Sequence, residues 1–174
     1  MARESERQFQ LDKIFFIPAG RPPHKKETFF LTPAPHRAEM VRLAIQGVKR
    51  WELSRVELER PGISYTVETL RELKKAYPDP SRLFFLIGAD SFRDFEQWKN
   101  PDEILRLAEL IVAPRPGFPL PEASPQRMHW LQMPPVEISA SGLRQKLERG
   151  EEAFEWIPER AVAYIRTMKL YRKG

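Results

Sequence analysis

Cysteine is absent from this chain of 174 residues. That excludes disulfides, thiolate metal sites and a cysteine nucleophile. Histidine is scarce, at three residues. No His/Asp/Glu cluster stands at metal-ligand spacing and no Ser-His-Asp order stands out, so no protein-held metal centre is expected. No apolar run approaches the ~20 residues that a membrane helix needs. Nothing like an apolar leader follows Met1-Ala2-Arg3-Glu4-Ser5-Glu6-Arg7, so a cytoplasmic location without a membrane partner is expected. Aromatic and basic residues are not interleaved as in nucleic-acid grips, so RNA and DNA are not expected partners. Repeats and low-complexity linkers are missing too.

What is present is an ordinary globular composition, 41% hydrophobic and 30% charged, with enough length for one domain spanning residues 1–174 and a core of its own. The net charge of +5 suits an anionic ligand such as a nucleotide. Seventeen prolines fall mostly in connections and stiffen them.

Short apolar runs alternate with amphipathic stretches. Residues 2–9 are polar and helix-compatible. Lys13–Ile17 reads as a strand buried on both faces. Residues 35–48 carry Ala38, Val41, Ala44, Ile45 and Val48 at helical spacing. Trp51–Leu58 alternates imperfectly and predicts a strand. A helix opens at Ser64–Glu68, with Val67, Leu70, Leu73 and Tyr77 as its apolar face. Strands are predicted at 83–87 and 110–113, helices around 91–97 and 101–108, and an extended segment over 129–138. Ser139–Arg144 starts a helix that stops at Gly150. A last helix follows Pro158, with Ala161, Val162, Tyr164, Ile165 and Met168 on its buried side. Strands alternating with helices predict an α/β fold with a doubly wound, mostly parallel sheet.

Four segments carry candidate chemistry. The first is the strand ending in Gly88-Ala89-Asp90-Ser91, with Trp98-Lys99 just beyond. Ligands of open α/β sheets bind at the carboxyl ends of strands. Gly88 allows close approach, Asp90 can accept two ribose hydroxyls, Trp98 offers a stacking face and Lys99 a charge. The same residues also read as a buried strand, a capped helix and a half-buried Trp. The second is the rigid basic loop Arg21–Lys26, with His24 and Lys25: a clamp over phosphates or a solvated surface loop. In the third, Ser139, Ser141 and Arg144 open a helix after an extended segment, where free N–H groups favour a phosphate and Arg144 can bind it in bidentate fashion. Last, Tyr65 and Thr66 begin a helix and either hold an anion or simply cap it. His36 and His129 have no recognisable partner and read as structural or surface residues.

In order along the chain stand Phe16-Ile17-Pro18-Ala19-Gly20 with Pro22-Pro23-His24-Lys25, Ser64-Tyr65-Thr66-Val67-Glu68-Thr69-Leu70, Gly88-Ala89-Asp90-Ser91 with Trp98-Lys99, Arg115-Pro116-Gly117, and Ile138-Ser139-Ala140-Ser141-Gly142-Leu143-Arg144. This series resembles the bacterial nicotinate-nucleotide adenylyltransferase family across essentially the whole chain. The resemblance implies a Rossmann-like nucleotidyltransferase fold and transfer of AMP from ATP to nicotinate mononucleotide, with Mg²⁺, giving deamido-NAD and pyrophosphate. It implies ATP-binding roles for Gly88, Asp90, Arg115, Ser139, Ser141 and Arg144. Tyr65, Thr66, Trp98 and Lys99 would hold the nicotinate nucleotide, Trp98 by stacking on its ring. His24, Lys25 and Arg144 would serve catalysis near the phosphates. A sibling transferase with another phosphate acceptor, such as phosphopantetheine, is the neighbouring alternative.

Two departures stand out. The family's phosphate motif usually reads Ile-Ser-Ser-Thr-x-Ile-Arg; here Ala140, Ser141 and Leu143 replace its second Ser, its Thr and its second Ile, while the Ser141 hydroxyl and Arg144 remain. The family also begins with a strand, a Gly-rich turn and a His-x-Gly-His motif, none of which the sequence contains. The expectation is an N-terminally truncated sequence whose Met1 is an internal methionine; the alternative is a nucleotide-binding remnant without catalysis.

Overall fold

The chain is described from a computed structural model, over residues 1–23, 32–78, 81–151 and 155–171. It divides into two compact units, one of residues 1–12 and 64–137, the other of residues 13–63 and 138–174.

The first unit is built on a parallel sheet in the order β3-β4-β5: β3 (Phe84–Gly88), β4 (Glu109–Ala113) and β5 (Met128–Trp130). Leu110, Ile111, Val112 and Ala113 are all fully buried, as a strand covered on both faces requires. Alternation sends Leu110 and Val112 into one core with Val67, Leu70, Phe95 and Ile104. Ile111 and Ala113 face the other side with Leu131, Phe9, Phe84 and Leu86. Helices α4 (Thr66–Ala76), α5 (Ala89–Arg93) and α6 (Pro101–Leu107) supply the first core. Phe9 of α1 (Ala2–Phe9) covers the second, its ring 5.8 Å from that of Phe84. A sheet with apolar layers on both faces is what the sequence predicts.

At the start of these strands, Glu109 accepts hydrogen bonds from His129 (2.7 Å) and Arg82 (2.9 Å). His129, read from sequence as partnerless, is thus tied into the sheet. Burial of Glu109 opposes its charge, but the bonds from His129 and Arg82 outweigh it and hold its carboxyl below the ordinary 4.5. A lowered folded-state pKa contributes stability above the unfolded value, and that contribution is lost as pH falls through the folded value. Glu109→Gln is therefore expected to lower Tm at pH 7, and the variant and the parent should converge as the pH falls through the lowered folded-state value. Equal Tm differences at pH 7 and pH 3 by calorimetry would remove this role.

The second unit holds a two-stranded parallel sheet of β1 (Ile14–Phe16) and β2 (Trp51–Leu53). Helix α2 (Ala34–Ile45) packs on β2 and on α8 (Glu159–Thr167). Their buried residues are Ala38 and Ile45 from α2, and Ala161, Val162 and Ile165 from α8. His36 Nδ1 lies 2.7 Å from the Tyr164 hydroxyl across that helix pair. Arg37 reaches back from α2 and donates to the carbonyls of Thr32 (3.0 Å), Gly20 (3.1 Å) and Ala19. One guanidinium thus joins the chain before and after residues 21–31. Partly buried acceptors left without a donor cost ~1–3 kcal/mol each. Arg37→Ala is expected to lower Tm by ~5–10 °C; a shift under ~2 °C in a thermal melt would show that these bonds are replaced by water.

Three expectations need correction. Trp51–Leu58 is a strand only as far as Leu53; α3 (Val56–Glu59) follows, with Arg55 as its N-cap residue. The extended segment over 129–138 is strand only as far as Trp130, with Leu131 N–H still donating to Val112 O at 2.9 Å, and Pro134 and Pro135 lack the N–H that further pairing needs. Met168 is 45% exposed because it caps α8 rather than continuing its buried face. Among the described residues, no helix is long and apolar enough to cross a membrane.

Candidate active site

In the first unit, Gly88 ends β3 and caps α5, with Asp90 in that helix's first turn. Neither Asp90 nor Ser91 makes a side-chain cap of α5: Asp90 Oδ1 accepts from the backbone N–H of Ser91 at 3.0 Å. Its other oxygen faces Arg115 Nη2 at 3.4 Å. Arg115 leaves the end of β4, the strand beside β3, and opens a turn closed by Phe118 N–H to Arg115 O at 3.1 Å. Pro116 and Gly117 are the central residues, and Gly117 has φ +78°, the left-handed position that a Pro-Gly turn of type II requires. An acid and a base thus meet at the carboxyl ends of two adjacent parallel strands, where such sheets bind ligands. Gly88 has an ordinary φ of −85°; its lack of a side chain matters for space, since a Cβ there would collide with the Asp90 carboxylate.

In the same unit, Tyr65 is the N-cap residue of α4 and Thr66 opens it, with no side-chain cap. Trp98, half-buried after the 3₁₀ turn Phe95–Gln97, packs edge-on against Phe85 (6.0 Å) and tilted against Phe95 (5.6 Å). Lys99 Nζ sits 4.1 Å from the centre of the Tyr65 ring, a cation–π distance, and 2.7 Å from Glu68 Oε1. The structure therefore brings Tyr65 and Lys99 together, with Glu68 as a partner that the sequence reading missed. Its only signal there is an acidic residue in the first turn of α4; the pairing with a lysine 31 positions later has no sequence signature.

In the second unit, Ser139 is the N-cap of α7 (Ala140–Glu148). Its Oγ accepts from Gly142 N–H at 3.0 Å and lies 3.0 Å from Ser141 Oγ. Both hydroxyls are exposed at the helix start, and Arg144 follows in the second turn, half-buried. Side-chain hydroxyls and free N–H groups at the positive end of a helix favour an anion. His24 and Lys25 lie outside the described residues.

Among the described residues, no group of three or more His, Cys, Asp or Glu could hold a metal ion.

Comparison with known proteins matches this chain to one family. The profile of the cytidylyltransferase-like family matches residues 1–146. A relative from Thermus thermophilus is 40% identical over 98% of this chain and 89% of its own length, and is named probable nicotinate-nucleotide adenylyltransferase. Relatives of the same name from Moorella thermoacetica (37% identical, 95% of this chain, 80% of theirs) and Tropheryma whipplei (36%, 99% and 90%) agree. Among solved structures, the nicotinic acid mononucleotide adenylyltransferase of Plasmodium falciparum complexed with APC superposes with a TM-score of 0.76 at 18% identity, over 98% of this chain and 89% of that one. That likeness shows the Rossmann-type nucleotidyltransferase fold. The chain belongs to the cytidylyltransferase-like family, and within it to the nicotinate-nucleotide adenylyltransferases.

Proposed function

We propose that the chain transfers AMP from ATP to nicotinate mononucleotide, giving deamido-NAD and pyrophosphate in NAD biosynthesis. The observation that carries this reading is family membership over nearly the whole chain. The acid–base pair of Asp90 and Arg115 at the carboxyl ends of β3 and β4 supports it. ATP enters as its Mg²⁺ complex, and the cytoplasm is the proposed compartment.

Asp90 accepts hydroxyls of the adenosine ribose, with Gly88 leaving room for it. Ser139, Ser141 and Arg144 hold the ATP phosphates, and Arg115 adds charge to the ATP site. Trp98 stacks on the nicotinate ring, and Tyr65, Thr66 and Lys99 bind the rest of the acceptor. A phosphate oxygen of nicotinate mononucleotide attacks the α-phosphorus of ATP in line. The new P–O bond forms as the bond from the α-phosphorus to the bridging oxygen breaks, and pyrophosphate leaves with that electron pair. Positioning and charge balance by cationic groups carry such a step, without a covalent enzyme intermediate. His24 and Lys25 are assigned near the phosphates on sequence resemblance alone.

Isotopic label tests this route. With Mg-ATP and nicotinate mononucleotide, label in the α-phosphate should appear in deamido-NAD and label in the γ-phosphate in pyrophosphate, in equal amounts. Release of inorganic phosphate instead, or nucleotide binding without either product, would reject adenylyl transfer.

A further inference from the structure

Helix α4 is tied to the segment after Trp98 by two ion pairs. Glu68 meets Lys99 at 2.7 Å, and Arg71, three residues on, meets Glu103 at 2.6 Å. Positions three apart share one face of a helix, so the two pairs run side by side. All four side chains are partly exposed, between 25% and 44%, and exposed pairs contribute little stability. The pairs differ in what else they touch. The Lys99 ammonium also lies over the Tyr65 ring at 4.1 Å, which leaves a long, flexible side chain held from two directions. It is next in sequence to Trp98, whose ring packs on Phe85 and Phe95.

We propose that Glu68 is a positioning residue for the acceptor nucleotide: it fixes the Lys99 ammonium against Tyr65, so that an oriented cation stands ready for an anionic group of the incoming nicotinate nucleotide. This inference rests on the reading of Tyr65, Trp98 and Lys99 as the acceptor site. A lysine left free must be ordered at each binding event, and that ordering weakens binding. A lysine already held loses little. The anionic group is the ring carboxylate or the 5′-phosphate, and both present oxygens to an ammonium in the same way.

Calorimetric titration of the full chain with nicotinate mononucleotide, nicotinamide mononucleotide and Mg-ATP separately tests this. Glu68→Gln should weaken nicotinate mononucleotide binding about three- to tenfold, the effect of ordering one long side chain, with Mg-ATP binding and Tm unchanged. Glu68→Asp should lie between parent and Glu68→Gln. Glu68→Gln combined with Lys99→Met should be no weaker than Lys99→Met alone, because coupled residues are not additive. Arg71→Gln, which breaks the neighbouring pair and leaves the Glu68–Lys99 contact in place, should weaken nicotinate mononucleotide binding less than Glu68→Gln does. A loss confined to the nicotinate nucleotide identifies the carboxylate as the group met by Lys99; an equal loss for the nicotinamide nucleotide identifies the phosphate.

Unchanged or tighter binding in Glu68→Gln, additive losses in the double variant, or an equal loss in Arg71→Gln would overturn the proposal. A parent chain that binds Mg-ATP but not nicotinate mononucleotide would instead reject the acceptor assignment, and this proposal with it.

Discussion

Trp98→Ala is expected to weaken nicotinate mononucleotide binding by about 5- to 150-fold, the ~1–3 kcal/mol that an aromatic platform gives a stacked ring. Mg-ATP affinity should change far less. The asymmetry is the informative part. Trp98 packs against Phe85 and Phe95, so its removal also loosens part of the core, and a general loosening would affect both ligands. Trp98→Leu separates the two effects, because leucine refills apolar space without supplying a flat face. Trp98→Leu should keep most of the stability and show the same selective loss. Equal losses for both nucleotides by calorimetry would remove the stacking role.

Asp90→Ala has the second large effect. A carboxylate that accepts ribose hydroxyls makes charge-assisted hydrogen bonds of ~1.5–3 kcal/mol, so ATP affinity should fall about 10- to 150-fold. The cost to folding should be small, because the Asp90–Arg115 pair is long, at 3.4 Å, and partly exposed. Gly88→Ala should act in the same direction by another route. Its backbone angles suit alanine, so the fold should persist, but the new methyl group must displace the Asp90 carboxylate. ATP affinity unchanged in Asp90→Ala would take Asp90 out of the site; unchanged affinity in Gly88→Ala alone would show that the carboxylate moves without loss.

Those two variants rest on features that the sequence made legible. Leu83–Ile87 and Leu110–Ala113 are apolar at every position, a pattern that fits a strand covered on both faces, and the polar residues after them mark where the strands stop. The Pro-Gly pair after Arg115 announces its turn. Ser139 and Gly142 likewise announce the helix start that they make.

Tertiary partners were not legible. The Trp51–Leu58 pattern alternates as a strand does, but pairing with β1 ends at Leu53 and the chain turns into α3. His129 looked idle because Glu109 is 20 residues away in sequence and adjacent only through the register of β4 and β5. Arg37 has no sequence signature of its role, although it joins residues 19, 20 and 32. The pairing of Glu68 with Lys99 belongs to the same class: local periodicity reports which face is buried, not which distant side chain meets it.

Pyrophosphate release by this chain with Mg-ATP tests the central claim most directly, with nicotinate mononucleotide, nicotinamide mononucleotide and phosphopantetheine supplied in parallel. Release should depend on the nicotinate nucleotide, with deamido-NAD formed in equal amount. Release that follows phosphopantetheine, or no release with any acceptor while ATP still binds, would contradict it.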